Sequence, residues 1–430
     1  MKKILEKIPG YSYFRQAITT STFKQSSITF GGTVMNGIFG AIFYIVTARF
    51  LGPEGFGLMS VAITVQTLFA DIGDLGTDTG LVNFVSKNLK NDPEKANKFL
   101  KLALKIKLFV SLTAVIFGLI VSAYLAKYAF GKPELAMPLK IAFVGVGTLL
   151  VFSFITKSLQ AMQRFWAWSN IQVTISILRL VFIFVFLAFG ILNLNTSLWL
   201  YILMPLIGFV VGIFIIKTDF LKVKNEMEVR GEFFNYNKWV AGFLVLAAFG
   251  GRVDTFMSAR ILSAYDLGLY AAAYQLVRIV PQIVSAIGTV IAPKMAELGN
   301  IGDLKIYLKK TQIMVTGMAI LGVATIPLVL YIVPVLFGTG YEGTGPIFIV
   351  LFVAMLIFLI SVPVHMAIFY YFSRPSFFFW LSLGQLILIT TLSYLLLNSF
   401  GAIGAAWAVF AGQLFSFVIP FIWVVRKVNT

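Results

Sequence analysis

Cysteine is absent from all 430 residues, so no disulfide, thiolate metal site or cysteine nucleophile can be built. Histidine occurs once, at His365, and one imidazole cannot make a His-rich metal centre. No Gly-rich loop ending in Lys-Ser/Thr is present, so ATP is not expected to drive the protein. There is no metal-ligand cluster and no nucleophile elbow. No catalytic residue and no cofactor is therefore expected, and the chain does not read as an enzyme. Charge is also scarce: 12% of residues are charged and 59% hydrophobic, against roughly a quarter and a half in soluble domains. Acids are the rarer sign, 17 against 34 Lys and Arg, for a net charge of +17. In a soluble protein that excess would suggest nucleic acid. Here the basic residues sit in short linkers between apolar runs, so lipid headgroups are the expected partner and nucleic acid is not.

What is present is long apolar runs. A spanning helix needs roughly 20 apolar residues. Such runs fall near 26–48, 57–84, 104–126, 137–160, 169–190, 198–216, 239–260, 268–292, 311–333, 346–370, 377–397 and 402–425. They are continuous rather than alternating, which predicts helices and not a barrel. The expected fold is all-α, with about twelve transmembrane helices. Pro205, Pro281, Pro327 and Pro363 lie inside spans and are expected to kink them. The linkers near 85–103 and 217–238 are too short to bury a core of their own. Met1 to Lys24 carries charges but no apolar core, and reads as a cytoplasmic segment lying on the membrane surface rather than a signal peptide.

Lysine and arginine set the expected direction. With the N-terminus inside, the inner segments hold rows such as Lys87, Lys90, Lys95, Lys98, Lys101, Lys105 and Lys107. The outer segments hold only Arg49, Lys127, Lys132, Lys140 and Arg260. Both termini are thus expected in the cytoplasm.

The chain also repeats. Ala48-Arg49-Phe50-Leu51-Gly52-Pro53-Glu54-Gly55-Phe56-Gly57-Leu58 aligns with Ala259-Arg260-Ile261-Leu262-Ser263-Ala264-Tyr265-Asp266-Leu267-Gly268-Leu269, sharing Ala, Arg, Leu, Gly and Leu in register. An even number of spans separates the copies, which predicts two co-oriented six-helix halves. The expected divisions are 1–24, an N-terminal bundle over 25–216, a linker over 217–238 and a C-terminal bundle over 239–430.

Ionisable residues inside spans cost about 2.5–3.5 kcal/mol each on insertion scales. They persist where they face a wet cavity or a partner. Asp71, Asp74 and Asp78 are spaced to share one face of the second helix. Arg179 lies mid-span in the fifth, Arg252 and Asp254 in the seventh, and Arg278 in the eighth, with Gln282 one turn beyond. Two readings stand. In one, Arg179, Arg252, Arg278, Asp254 and Gln282 line a cavity for an anionic headgroup, and the three aspartates balance charge or bind a coupling ion. In the other, the charges are static ion pairs that staple helices, or snorkelling side chains. The repeat favours the first, because the scaffold is duplicated and these charges are not. Arg49 and Arg260, at helix ends, read as interface anchors. His365 reads as a polar side chain with a satisfied hydrogen bond, or as a proton site.

The segment Ala48 to Gly57, the stretch Ala70-Asp71-Ile72-Gly73-Asp74-Leu75-Gly76, and Asp254 followed by Gly268-Leu269-Tyr270 resemble the polysaccharide biosynthesis (O-antigen type) flippases. Those belong to the multidrug/oligosaccharidyl-lipid/polysaccharide exporter superfamily. The resemblance implies a V-shaped pair of bundles in the plasma membrane. It implies translocation of a polyprenyl-diphosphate-linked oligosaccharide to the outer leaflet by alternating access, with H+ or Na+ as possible coupling ions and a monomer as the unit. The buried arginines are not transferred from the family; they rest on the cost argument. No extra C-terminal helix pair like that of the lipid II flippases is seen, which disfavours a peptidoglycan precursor. A multidrug cation exporter of the same superfamily is the alternative, with acids as the main contacts. A membrane polymerase or ligase is disfavoured by the short outer loops.

Overall fold

The computed structural model describes residues 21–429. The surface segment expected over 1–24 lies, through residue 20, outside the described residues. The described residues form α-helices with short 3-10 and π turns and no strand. In chain order the helices are α1 Ser21–Gly73, α2 Thr77–Asn88, α3 Pro93–Tyr124, α4 Ala136–Ala161, α5 Phe165–Ala188, α6 Leu194–Ile216, α7 Arg230–Gly250, α8 Val253–Ile261, α9 Ala264–Val277, α10 Ile279–Glu297, α11 Ile301–Ala324, α12 Ile326–Phe337, α13 Thr344–Met366, α14 Pro375–Phe400 and α15 Ala402–Asn429.

Among the described residues nine helical stretches are long and apolar enough to cross a membrane, and two bent pairs raise this to eleven. The first stretch, Ser27–Gly73, is 47 residues long. It divides at Gly52, whose φ of 68° is left-handed and cannot continue a helix. Counting it as two reaches the twelve expected crossings. The fold is an all-α membrane protein.

Several spans are broken, and proline accounts for two of the breaks. A proline ring collides with the carbonyl four residues back. Pro281 therefore ends α9 at Val277, and α10 starts at Ile279. Pro327 follows the bend of 49° between α11 and α12. Pro363 lies in α13, just before a π-turn over Ala367–Tyr371. Pro205 sits inside α6 without interrupting it. The other two breaks have no proline. One lies at Asp74 to Gly76, between α1 and α2, and one at Gly251 and Arg252, between α7 and α8.

The repeat is visible in the backbone as well as in the side chains. Gln163 and Ser373 both take left-handed φ, 56° and 50°, and each precedes an arginine that starts the next helix, Arg164 before α5 and Arg374 before α14. Gly190 and Gly401, at φ 67° and 62°, end α5 and α14 in the same way. The spans containing α4 and α13, each the fourth crossing of its half, are the most buried.

Packing divides the chain into two compact units. Among the described residues, the first comprises the chain from Ser21 to Tyr44, Val65–Ser122 and Leu139–Val245. The second comprises Ile45–Thr64, Ala123–Pro138 and the chain from Leu246. In the first, Gly32 lies so near Ser169 that a Cβ would overlap it, so α1 and α5 approach closely. The connection after α6 makes two 3-10 turns, Asp219–Lys222 and Glu226–Val229, and docks on the basic face of α3. Lys98 meets Glu228 at 2.7 Å, Lys101 meets Glu226 at 3.3 Å, and Lys95 meets Glu232 at 2.9 Å. Lys105 also pairs with Glu226 and is the main cause that holds its carboxyl down at about 2. These pairs explain why α3 begins at Pro93, earlier than the apolar run at 104: its first three turns form an ion-paired helix. In the second unit α13 is central, packing against α9, α10, α11 and α15.

Candidate functional site

Apart from Arg179, the single-copy charges cluster at or near helix breaks. A broken helix leaves backbone N–H and C=O groups without intrahelical partners, and such breaks favour nearby polar side chains. Asp74 sits in the α1–α2 break, Arg252 caps α8 after the α7–α8 break, and Arg278 occupies the α9–α10 break. Sequence spacing alone does not show this, because apolar run lengths conceal a break inside a span.

The α1–α2 break reshapes the aspartate cluster. Leu75 and Gly76 are consecutive left-handed residues, φ 51° and 74°, so the helix stops and restarts. The break abuts the backbone at Asn237, and a Cβ on Gly76 would crowd the Asn237 carbonyl. The three-aspartate face expected of a continuous helix therefore does not form. Asp71 is exposed on α1. Asp74 and Asp78 instead converge on Lys107 of α3, which is 1% exposed. Its ammonium donates to Asp74 Oδ1, to Asp78 Oδ1 at 2.8 Å and to Ser153 Oγ at 2.9 Å. Three donors meet three acceptors, so the cation is saturated. Asp74 also accepts from the Thr77 hydroxyl at 2.9 Å and from the Asp78 N–H at 3.1 Å, capping α2. Lys107 reads in sequence as one more basic residue of an inner linker. The signal that distinguishes it is its place inside the apolar run at 104–126.

Arg179 has the opposite surroundings. It lies mid-way along α5, its guanidinium 4.5 Å from the ring centre of Tyr201 on α6 and 5.5 Å from that of Phe43 on α1. Tyr44 and Tyr201 bring their hydroxyls within 3.3 Å of each other beside it. Its Nε is buried with no hydrogen-bond partner, and no carboxylate reaches it among the described residues. One turn back, the Ser176 hydroxyl bonds the Asn36 side chain. The α1–α5 approach at Gly32 and Ser169 sets this level, because Phe43 and Arg179 lie nearly equal distances further along their helices, about 15 Å at 1.5 Å per residue. Aromatic faces stabilise the cation by about 0.5–2 kcal/mol. That falls short of the insertion cost of an unpaired arginine.

The remaining candidates belong to the second unit. Asp254, near the first turn of α8, is buried and accepts a hydrogen bond from the Tyr270 hydroxyl of α9. Arg252 Nη1 donates to the Ala248 carbonyl at 3.0 Å, closing the end of α7. Arg278 is exposed and donates to Gln275 Oε1 at 3.2 Å. Gln282 is exposed one turn further along α10. Arg179 is thus in one unit, and Arg252, Asp254, Arg278 and Gln282 are in the other. His365 Nε2 lies 2.8 Å from the Ser416 carbonyl and Nδ1 lies 3.4 Å from Ser361 Oγ, which ties α13 to α15 and fits the reading of a satisfied polar side chain. No group of three or more metal-ligating side chains occurs among the described residues. Gln66 is a further buried polar side chain: its amide is wholly buried with neither atom bonded among the described residues, next to Gly145.

A family profile described as polysaccharide biosynthesis protein matches residues 23–299. The chain belongs to this family. No curated relative matches the sequence. Among solved structures, the family fold is shared with the lipid II flippase MurJ in an inward closed conformation, at 15% identity and a TM-score of 0.74, covering 93% of this chain and 87% of that one. It is shared equally with the inward-facing conformation of a multidrug resistance MATE family transporter of the MOP superfamily, at 12% identity and 0.73, covering 92% and 94%. A MOP superfamily transporter from Pyrococcus furiosus, described by the reverse polarity of its binding pocket, follows at 12% and 0.60, covering 94% and 93%. This polysaccharide biosynthesis family member therefore has the fold of the MOP flippases and exporters.

Proposed function

We propose that the protein moves a polyprenyl-diphosphate-linked oligosaccharide from the cytoplasmic to the outer leaflet by alternating access. The observation that carries this reading is the uncompensated Arg179 in its aromatic box. A guanidinium at mid-membrane with no acid beside it is suited to an anion, and its planar donor fork matches phosphate oxygens. Arg252, Arg278, Asp254 and Gln282 serve the same passage from the second unit. Asp74 and Asp78 balance Lys107 or take up a coupling proton or Na+, and Asp71 adds charge beside them. The protein sits in the plasma membrane as a monomer with both termini inside, its halves dividing near the 217–238 linker.

The multidrug cation exporter is kept as a second reading because Asp254 is a buried carboxyl with no basic group in ion-pair distance among the described residues. The fold does not separate the two, since its likeness to MurJ and to a MATE transporter is nearly the same, at TM-scores of 0.74 and 0.73. Reconstituted vesicles loaded with a labelled undecaprenyl-diphosphate glycan, and separately with an organic cation, distinguish them. Flipping of the glycan lipid that falls with Arg179→Ala supports the flippase. Uptake of the cation alone, falling with Asp254→Asn, would replace it with the exporter.

A further inference from the structure

The motif shared by the repeats meets its own copy in space. Gly57 and Gly268 are equivalent positions, and within the second unit they pack against each other. A Cβ on Gly57 would strike the Ala264 carbonyl, and a Cβ on Gly268 would strike the Pro53 carbonyl. Pro53 and Ala264 are themselves equivalent in the repeat, so the clash is reciprocal. Around this crossing the same reciprocity continues. The Ala48 carbonyl accepts from the Tyr341 hydroxyl at 2.8 Å, and the equivalent Ala259 carbonyl accepts from Lys132 Nζ at 2.7 Å. Arg49 Nη1 donates to the Val335 carbonyl at 2.8 Å, in the last turn of the third crossing of the opposite half. Arg260 lays its guanidinium against Gly131, beyond the third crossing of the first half. Phe56 meets Tyr341 edge-on, and Phe130 stacks on Phe256. Each half thus holds the other through its copy of the Ala-Arg motif, although the groups that meet Arg49 and Arg260 are not equivalent positions.

The chain segments involved explain an oddity of the packing. Ile45–Thr64 and Ala123–Pro138 leave their own half and join the second unit. At this end the two repeats are one body. The contacts there are of a separable kind. The bonds of Arg49, Lys132 and Tyr341 are each a side-chain donor on a backbone carbonyl, Arg260 packs against Gly131, none of those named is a carboxylate ion pair, and the glycine crossing has no interlocked side chains.

We infer that Arg49, Arg260, Tyr341 and Lys132, set around the Gly57–Gly268 crossing, form a two-fold clasp that shuts this end of the protein and releases during transport. Under the proposed orientation it is the outer gate. The clasp accounts for the repetition of the Ala-Arg motif, which interface anchoring alone does not require. It is independent of which substrate is carried, so its test uses none.

The chain has no cysteine, so a pair of introduced ones is specific. Phe50 and Val335 are both 59% exposed and flank the clasp without forming its side-chain bonds. Spin labels on F50C/V335C in lipid nanodiscs should show a dominant short distance and a minor long one. Adding Arg49→Gln or Arg260→Gln should raise the long population by similar factors, about threefold each, and the pair should raise it further. Tyr341→Phe, which keeps the ring packing, gives a milder version should an arginine variant fail to express. A single distance unchanged across all of these variants, or a response to Arg49→Gln with none to Arg260→Gln, overturns the two-fold clasp. Either result leaves the substrate reading standing, and a wrong substrate leaves the clasp standing.

Discussion

Lys107 and Arg179 are both cations inside the first compact unit, on α3 and α5, and their surroundings differ in kind. Lys107 is enclosed by two carboxylates and a hydroxyl, one acceptor for each of its N–H bonds. Arg179 lies against aromatic rings, with a buried Nε that has no hydrogen-bond partner among the described residues. The difference separates a charge that is paired within the chain from one that is not and that, under the proposed function, takes a ligand. Desolvation penalises both, and only the first is compensated within the chain. Sequence position gives the reverse impression: Lys107 looks like linker chemistry and Arg179 like an isolated oddity.

The largest effect expected from breaking this contrast is at Lys107. Lys107→Met strands Asp74 and Asp78 in a buried site, a change that costs about 3–5 kcal/mol. Membrane-inserted, monodisperse protein should fall sharply in size-exclusion profiles. The triple change K107M/D74N/D78N should restore most of it, because no charge is then left unpaired. If K107M alone behaves as the parent, the pairing is not structural. Arg179→Ala should do the opposite: normal yield and thermal stability, with glycan-lipid flipping down about ten- to a hundredfold, the loss of about 1.5–3 kcal/mol expected for one charged hydrogen bond. Arg179→Lys should keep part of the rate, since the charge stays and the fork is lost. A drop in stability without a drop in flipping per folded molecule would make Arg179 a staple like Lys107.

Tyr201→Leu sharpens the contrast further. It removes the nearest aromatic face from Arg179, worth about 0.5–2 kcal/mol, and should weaken flipping less than Arg179→Ala while leaving Lys107 untouched. The smallest effect is expected outside the apolar region, where the 217–229 connection docks on α3. Glu226 is held at about 2, chiefly by Lys105, below its ordinary value of 4.5. A lowered carboxyl contributes stability above its unfolded pKa and loses it as pH falls through the folded one. Docking of the connection should therefore hold constant from pH 7 down to about 4.5 and loosen progressively between there and about 2. Hydrogen exchange at 219–229 measures it, and Glu226→Gln should raise exchange there at pH 7, more so at low salt, with flipping nearly unchanged.

The glycine crossing shows where reading the chain alone falls short. The matching of Ala48–Leu58 with Ala259–Leu269 is plain in one dimension, and so is its meaning as duplication. That the two copies touch is a fact of tertiary structure, because contact between positions 211 residues apart has no local signature. Arg49 and Arg260 read as lipid-interface anchors for the same reason: their acceptor at Val335 and their neighbour at Gly131 are brought in from other helices.

The sequence by itself determined the solvent, the class and the count. Apolar runs of spanning length leave only helices able to satisfy their backbone in hydrocarbon, and the absence of cysteine and clustered histidine removed whole chemistries. It also located every single-copy charge that the site discussion rests on, except Lys107. Tertiary structure decided what each charge meets. A helix break at Asp74 to Gly76 turned a three-aspartate face into a lysine cage, and the approach of α1, α5 and α6 left Arg179 among rings. Both outcomes depend on which surfaces come within a few ångströms, and electrostatic pairing at that range is set by packing rather than by spacing along the chain.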